Sequence, residues 1–151
     1  MDQTFYMSAT GIGLAVLIDD NDIDLFVQKR FIEINQFAGQ VITFRSPLDA
    51  LQYFETTSEL PEIILLDLNM PVMDGFEFLD RYIQLPEQVT GYCKVVVLTS
   101  SSSGSDRDRA KTYPCVIGFI SKPMEAKNLE DLRHYFLANP KKVAHQGVGD
   151  K

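Results

Sequence analysis

The stretch Glu62–Leu79, EIILLDLNMPVMDGFEFL, decides the fold because a strand, a turn and the start of a helix follow one another in it. Ile63–Leu66 is a short run of large apolar residues, as expected for a strand that is buried on both faces. The run stops at Asp67, and the turn residues of Pro71–Gly75 follow. Apolar residues then recur at helical spacing, at Phe76, Leu79 and Ile83. The stretch therefore predicts a buried strand that ends in a carboxylate and leads into a helix.

The same alternation of strands and helices extends along the chain in both directions. Four further apolar runs predict strands, at Leu14–Ile18, Val41–Phe44, Val95–Leu98 and Val116–Ile120. Apolar residues at helical spacing predict the helices; they are Ile23, Phe26, Val27, Phe31 and Ile34, then Leu48, Leu51 and Phe54, and finally Leu129, Leu132 and Phe136. Alternating strands and helices require parallel crossovers with helices on both faces. We predict an α/β fold, a doubly wound five-stranded parallel sheet in the order 2-1-3-4-5, of the flavodoxin-like type.

The sequence predicts one domain, of residues 12–137. Residues 1–11 are predicted to be an N-terminal extension, and residues 138–151 a short polar tail with no output domain. The length of 151 residues and the 45% apolar content suit a single compact core.

Charge and composition exclude several classes of function. A formal net charge of -7 without a basic cluster argues against direct binding of nucleic acid or of an anionic membrane. No apolar stretch has the length of a membrane span, so we expect a cytoplasmic protein. Cys93 and Cys115 lack metal-ligand spacing and are predicted to be reduced thiols in or near the core.

The residues just past the strands are the candidate functional residues, because ligands bind at the carboxyl ends of the strands in an open parallel sheet. They form a consistent set: Asp19 and Asp20 after the first strand, Asp67 after the third, Thr99 and Ser100 after the fourth, and Ser121, Lys122 and Pro123 after the fifth. All of these ends share one edge of the predicted sheet. Three carboxylates, a hydroxyl and an ammonium should therefore converge on one small cleft.

Three carboxylates that lie close together repel one another and require a cation. Oxygen ligands that leave several coordination positions open favour Mg²⁺. Lys122 would add a second positive charge, and Thr99 a hydrogen bond. Such a site can hold a phosphoryl group while an oxygen attacks it, which makes Asp67 a candidate nucleophile that forms an aspartyl phosphate.

Four motifs resemble those of the response-regulator receiver domains of two-component signalling. They are LIDDND at Leu17–Asp22, LLDLNMPVMDG at Leu65–Gly75, VVLTS at Val96–Ser100 and FISKP at Phe119–Pro123. They occur in the order found in the family, at the ends of the predicted strands, and the resemblance covers about Leu14–Leu137. Four motifs in this order on a matching fold are a specific signal.

The resemblance assigns the acidic residues to phosphorylation and metal binding. Asp67 is expected to be the phospho-acceptor. Asp19 and Asp20 are expected to hold Mg²⁺ together with Asp67, with Asp20 favoured as a direct ligand and Asp19 acting directly or through water. The residue two positions past the acceptor supplies a backbone carbonyl to the metal in this family, and here it is Asn69.

The resemblance also assigns roles to the residues of the last two strands. Thr99 is expected to contact a phosphoryl oxygen and Lys122 to pair with the phosphate, with Ser100 and Pro123 in supporting positions. The Lys122–Pro123 peptide bond is expected to be cis. Phe119 occupies the aromatic switch position, although simple core packing explains it equally well.

Other polar residues receive ordinary structural interpretations. Asp22 and Asp24 are read as acids at a helix N-terminus, where the helix dipole favours them. Asp74 is read as a helix cap and Gly75 as a turn residue. His134 is expected on the surface of the last helix.

Two segments bear on regulation. Ser101–Tyr113 is poor in apolar residues and rich in serine, so its helix should be marginal. We hypothesise that phosphorylation moves the loop after Thr99 and orders this segment. Gln84–Lys94 is longer than the usual connection and should lie at the end of the sheet away from the cleft, where it could serve a partner.

The predicted function is a phosphorylation switch. A histidine kinase or phosphotransfer protein would donate the phosphoryl group, and an unknown downstream protein would read the changed surface or receive the phosphoryl group; the protein itself would be a monomer or a weak homodimer. One alternative is a phosphohydrolase that acts through an aspartyl phosphate, but enzymes of the haloacid-dehalogenase type need an acid where Asn69 stands. The other is a phosphorylation-independent interaction module, which the intact set of acids, Thr99 and Lys122 disfavours.

Overall fold

The computed structural model of the protein describes residues 12–100 and 103–140. The predicted extension of residues 1–11, Ser101 and the tail beyond residue 140 lie outside this part of the chain. The strands are β1 Leu14–Ile18, β2 Gln40–Phe44, β3 Ile63–Leu66, β4 Lys94–Thr99 and β5 Val116–Ser121. The helices are α1 Asp22–Ile34, α2 Pro47–Thr56, α3 Gly75–Tyr82, α4 Glu87–Thr90, α5 Gly104–Ala110 and α6 Ala126–Ala138.

The strands form one parallel sheet in the order β2-β1-β3-β4-β5, which confirms the predicted order 2-1-3-4-5. Every residue of β1 and β3 is buried, as their continuous apolar sequences predict. Strand β2 is partly exposed at one edge of the sheet, also as predicted. The site discussed below lies at the carboxyl ends of these strands.

Two apolar cores lie on opposite faces of the sheet, because successive residues of a strand point to opposite sides. In β1, Val16 and Ile18 join the core that α2, α3 and α5 cover. Ala15 and Leu17 join the core that α1 and α6 cover. The predicted helices on both faces are therefore confirmed.

Helix α1 packs on the sheet through a face that its apolar spacing does not indicate. Leu25 and Ile32 are buried in the core, and Gln28 is buried between them. The apolar residues from which the helix is predicted lie mostly on the outside. Phe31 is half-buried. The other four side chains are exposed: Ile23 by 73%, Phe26 by 67%, Val27 by 56% and Ile34 by 68%. Apolar residues occupy two sides of this helix, so their periodicity predicts the helix without deciding its rotation.

The connection between α3 and β4 contains the one-turn helix α4 and lies at the end of the sheet opposite the strand-end acids. Val89 is buried there, and the Tyr82 hydroxyl donates a hydrogen bond of 2.8 Å to the carbonyl of Cys93. Cys93 and Cys115 are both buried and no disulfide joins them, which confirms the prediction of two reduced thiols in or near the core.

Helix α5 spans seven residues and buries one of them, Ala110. Two of its arginines cover aromatic rings instead: the guanidinium carbon of Arg107 lies 4.6 Å from the ring centre of Phe119, and that of Arg109 lies 4.1 Å from the ring centre of Phe76. These cation–π contacts supplement the small apolar contact that the helix makes with the rest of the protein. This small attachment agrees with the prediction of a marginal helix.

Candidate functional site

Backbone hydrogen bonds beyond the strand ends bring the candidate residues to one edge of the sheet. The backbone N–H of Asp67 donates to the carbonyl of Ile18 at 3.0 Å, and the backbone N–H of Lys122 donates to the carbonyl of Thr99 at 2.8 Å. Asp19, Asp67 and Thr99 are all buried. The residues that follow β1, β3, β4 and β5 are therefore neighbours, as the strand-end argument predicts.

Three carboxylates form an acidic cluster at this edge. Asp19, Asp20 and Asp67 each offer an oxygen, and these oxygens lie within 4.8 Å of one another. Asp19 Oδ1 accepts a hydrogen bond of 2.9 Å from the backbone N–H of Asn21, and Asp19 Oδ2 accepts one of 2.7 Å from Lys122. Asp20 is half-exposed. Both oxygens of Asp19 are thus engaged within the protein, whereas Asp20 is partly open to solvent.

The Lys122 ammonium is the positive charge nearest to these acids in the described part of the chain. Its Nζ lies 2.7 Å from Asp19 Oδ2, 2.8 Å from Asp24 Oδ2 and 3.8 Å from Asp67 Oδ1. Burial by itself lowers the pKa of Lys122, but the hydrogen bonds to Asp19 and Asp24 more than offset burial, so the pKa lies above its ordinary value. Lys122 is therefore fixed as a cation at neutral pH.

The carboxyl group of Asp67 is held in an unfavourable environment. Oδ1 is buried and, among the described residues, has no hydrogen-bond partner. Burial, and then the negative charge of Asp19, raise the pKa of Asp67 from 3.8 to about 6, although Lys122 and the backbone N–H of Asn69 oppose the rise. The Asp67 carboxylate is therefore ionised at pH 7 but poorly solvated, as expected of a group that gains from a new partner.

The residues of this edge fit a divalent cation. The three acids converge, Asp67 Oδ1 lacks a partner among the residues described, and the available donors of the cluster are oxygens. Hard cations such as Mg²⁺ prefer oxygen ligands and commonly bind through few carboxylates. Asn69, whose backbone carbonyl is the predicted further ligand, lies in the loop that leaves Asp67.

Asn69 and Thr99 are joined across the cleft. The side-chain amide of Asn69 donates a hydrogen bond of 3.1 Å to the Thr99 hydroxyl oxygen. Asn69 is exposed, whereas Thr99 is fully buried at the end of β4. The bond places the Thr99 hydroxyl beside the loop that follows Asp67.

The start of α3 closes tightly against the same loop. Asp74 caps the helix, because its carboxylate accepts the backbone N–H of Glu77 while Glu77 accepts that of Asp74, both at 2.9 Å. A Cβ atom at position 75 would lie 2.7 Å from Leu68 Cα and 2.8 Å from the carbonyl oxygen of Asp67. Gly75 is therefore required for close packing against the loop, which is a more specific role than the predicted turn.

The other predicted residues surround this centre at varying depth. Ser100 and Pro123 are exposed beside Thr99 and Lys122, and the Lys122–Pro123 peptide bond is cis, as predicted. Phe119 is half-buried at β5 and lies beneath Arg107. His134 is exposed on α6, which confirms its predicted surface position.

Sequence reasoning missed Asp24. Asp24 is predicted to be an acid at a helix N-terminus, and it does lie in the first turn of α1. Its backbone N–H donates a hydrogen bond of 2.9 Å to the side chain of Asn21. Its carboxylate, however, lies 2.8 Å from Lys122 Nζ. The available signal was that α1 begins at the same edge of the sheet to which β5 delivers Lys122. Asp22, by contrast, pairs with Arg45 at 2.9 Å.

A partly apolar surface adjoins the cleft. A cavity of about 150 Å³ lies beside Lys122 and is lined by residues of α1 and of the segment after β5: Asp24, Val27, Gln28, Phe31, Lys122, Pro123 and Met124. The same helix carries three further exposed apolar side chains, Ile23, Phe26 and Ile34. Among the helices of the described ranges, none combines the length and apolar content that a membrane crossing requires.

Comparison with known proteins gives a consistent result. The family model for the response regulator receiver domain matches residues 15–133. A probable methanogenesis regulatory protein, FilR2 of Methanothrix harundinacea, is 31% identical over 132 residues, which are 82% of this chain and 83% of the relative. The chain also matches three longer curated relatives, of which it spans 28%, 21% and 7%.

Solved structures support the same fold. A two-component response regulator from Cytophaga hutchinsonii is 28% identical, with a TM-score of 0.77 over 84% of this chain and 98% of that chain. A response regulator receiver protein from Dyadobacter fermentans DSM 18053 is 30% identical, with a TM-score of 0.75 over 85% of this chain and 98% of that chain. The similarity extends over nearly the full length of both solved structures.

Proposed function

This chain belongs to the response regulator receiver domain family, and from that premise we propose that Asp67 accepts a phosphoryl group and that phosphorylation changes the surface offered to a partner. The Asp67 carboxylate carries the proposal. Its Oδ1 is buried, has no hydrogen-bond partner among the described residues and lies 3.8 Å from a lysine ammonium. A phosphoryl group would place new acceptor oxygens between Asp67 and Lys122.

The chemistry follows from these groups. An oxygen of Asp67 forms a bond to phosphorus while the bond from phosphorus to the donor nitrogen breaks, and that nitrogen keeps the electron pair. Lys122 neutralises charge on the transferred oxygens, and the Thr99 hydroxyl donates a hydrogen bond to one of them. Mg²⁺, held by Asp19, Asp20, Asp67 and the backbone carbonyl of Asn69, would supply further positive charge at the cleft.

The neighbouring residues complete the switch. Ser100 and Pro123 leave the mouth of the cleft open beside Thr99 and Lys122. Phe119, in contact with Arg107 of α5, is the residue through which a change at Thr99 would reach the surface. Hydrolysis of the aspartyl phosphate by water returns the protein to its starting state. Receiver domains generally act as signalling domains rather than as turnover enzymes.

The phosphodonor is a histidine kinase or a phosphotransfer protein, and a downstream protein reads the phosphorylated state or takes the phosphoryl group onward. Val27, an exposed apolar residue of α1, lines the cavity beside Lys122 and suits a protein donor, which must cover the cleft to reach Asp67. The acidic net charge of -7 disfavours nucleic acid or an anionic membrane as a partner. The protein acts in the cytoplasm as a monomer or weak homodimer.

A phosphohydrolase is the main alternative, and Asn69 argues against it. A hydrolase of the haloacid-dehalogenase type places a general acid two residues past its nucleophile. Here that position carries an amide, which donates to Thr99. A phosphorylation-independent interaction module would not require the poorly solvated Asp67 carboxylate.

Intact-mass measurement tests the proposed function. Wild type and Asp67→Asn are incubated with acetyl phosphate, with and without Mg²⁺, and quenched rapidly. We expect one phosphoryl adduct that requires Mg²⁺ and is lost in Asp67→Asn. The absence of an adduct in wild type, together with failure to bind beryllofluoride, would overturn the proposal; multiple turnover of small phosphate esters would favour the hydrolase.

A further inference from the structure

We propose that Asp24 is a positioning residue that holds Lys122 away from Asp67 until a phosphoryl group is present. The inference rests on the proposed function, because it concerns the lysine that would meet the phosphoryl group. Asp24 would set how readily Asp67 accepts and keeps that group, without touching phosphorus itself.

The contacts of Lys122 show which carboxylates hold it. An ammonium has three N–H donors. Two of them are engaged at short distance, with Asp19 at 2.7 Å and Asp24 at 2.8 Å. The distance of 3.8 Å to Asp67 Oδ1 is too long for a hydrogen bond, and this oxygen has no other partner in the described ranges. Lys122 is thus hydrogen-bonded to Asp19 and Asp24 and makes no hydrogen bond to Asp67.

The two acids that hold Lys122 differ in how firmly they are fixed. Asp19 has a side chain that is 3% exposed, and its second oxygen accepts the backbone N–H of Asn21. Asp24 has a side chain that is 40% exposed and stands in the first turn of α1. Water can therefore solvate Asp24 when Lys122 leaves, whereas Asp19 has no such access. Separation of Lys122 from Asp24 should therefore cost less free energy than its separation from Asp19.

Charge decides the direction of the effect. A phosphoryl group on Asp67 adds negative charge beside Lys122 and competes with Asp24 for the ammonium. The Asp24–Lys122 attraction stabilises the unphosphorylated arrangement more than the phosphorylated one. Removal of the Asp24 charge should therefore favour the phosphorylated arrangement, and Lys122 should mediate the effect.

The experiment measures binding of beryllofluoride, a mimic of the phosphoryl group, in the presence of Mg²⁺. ¹⁹F NMR reports the bound fraction for the full chain. We expect Asp24→Asn to bind beryllofluoride about fivefold more tightly than wild type, as the loss of one partly exposed ion pair would allow. Asp24→Glu, which restores the charge, should return the affinity close to that of wild type.

Two further variants separate this role from general charge or helix effects. Asp22→Asn makes the same change of charge in the same helical turn, but Asp22 pairs with Arg45 and not with Lys122. It should leave the affinity unchanged. In a Lys122→Gln background, Asp24→Asn should lose its effect, because the residue through which it acts is gone.

Each outcome is decisive. Equal affinities of Asp24→Asn and Asp22→Asn, weaker binding by Asp24→Asn, or an Asp24→Asn effect that persists in the Lys122→Gln background would overturn the positioning role and leave the proposed function standing. Failure of wild type to bind beryllofluoride at all would overturn the proposed function, and the positioning role with it. Circular dichroism of each variant confirms that it is folded.

Discussion

Arg107 of α5 lies over the ring of Phe119 of β5, with its guanidinium carbon 4.6 Å from the ring centre. The contact joins the least buried helix next to the cleft to the residue at the proposed switch position. Because α5 buries little apolar surface of its own, such contacts determine how firmly it is attached.

Arg107→Ala should loosen α5. A cation–π contact at a partly exposed site contributes about 0.5 to 1 kcal/mol, and the free energy of unfolding should fall by that amount. Urea denaturation measures the change, and amide hydrogen exchange in residues 104–110 should accelerate. Arg30→Ala is the control, since Arg30 pairs with Glu33 on the exposed side of α1. Equal effects of the two variants on exchange in α5 would contradict the prediction.

Phosphorylation should order the segment around α5. With Mg²⁺ and beryllofluoride, amide exchange in residues 103–113 should slow, on the order of tenfold, if the bound form stabilises this helix by little more than 1 kcal/mol. Hydrogen exchange with mass spectrometry measures the effect. Asp67→Asn is the control and should show no slowing. Unchanged exchange in wild type would show that the signal does not pass through α5.

The carboxyl group of Asp67 should make stability depend on pH. Burial is the main reason that its pKa rises from 3.8 to about 6. Because the pKa is higher in the folded protein, the neutral acid favours folding; this contribution is complete below pH 3.8 and is lost as the pH rises through about 6. The side chain of Asp67→Asn does not ionise, so its stability is not lowered as the pH rises. Without divalent cations, the free energy of unfolding of Asp67→Asn at pH 7 should exceed that of wild type by about 2 to 3 kcal/mol.

Urea denaturation between pH 4 and pH 7.5 follows this difference. The difference in the free energy of unfolding between Asp67→Asn and wild type should shrink toward zero near pH 4. Mg²⁺ should reduce the same difference at pH 7 by stabilising the wild type. Asp131→Asn, which alters an exposed carboxylate of α6 paired with Lys127, is the control. A difference that is the same at pH 4 and pH 7 would refute the environment inferred for Asp67.

Gly75→Ala should destabilise the loop that follows Asp67. The new Cβ would meet Leu68 Cα at 2.7 Å and the Asp67 carbonyl oxygen at 2.8 Å, and both are backbone atoms that cannot turn aside. Overpacking of this kind costs about 1 to 3 kcal/mol. Gly104→Ala, where no atom lies within 4 Å, should be neutral or slightly stabilising. Urea denaturation of the two variants compares them, and equal stabilities would contradict the close packing at Gly75.

The sheet and the position of the cleft could be predicted because they depend on local patterns. Apolar runs such as Ile63–Leu66 identify strands, and parallel connections place the residues after them at one edge. This rule alone is enough to predict that Asp19, Asp67, Thr99 and Lys122 lie near one another. Their chemical types then indicate a cation and a phosphoryl group.

The contacts that sequence reasoning missed depend on how helices are rotated and on long side chains. Asp24 and Lys122 are 98 residues apart and meet because α1 turns Leu25 and Ile32 inward, a choice that its apolar spacing does not determine. The cation–π contact between Arg107 and Phe119 likewise joins residues of separate elements. Such pairs carry no periodic signal, since each residue alone is typical of a solvated helix.

The backbone bonds from Asp67 to Ile18 and from Lys122 to Thr99 have a consequence for the speed of each step. They tie the peptide groups of the cleft to the strands of the sheet, so we expect the backbone of the cleft to move less than its side chains. The four-carbon side chain of Lys122 changes partners by rotation about its own bonds, which is a more local motion than the rearrangement of a helix such as α5 over microseconds or longer. The move of Lys122 from Asp24 to a phosphoryl group would then be complete before the outer surface responds. This leaves an interval in which a phosphorylated molecule still presents its earlier surface.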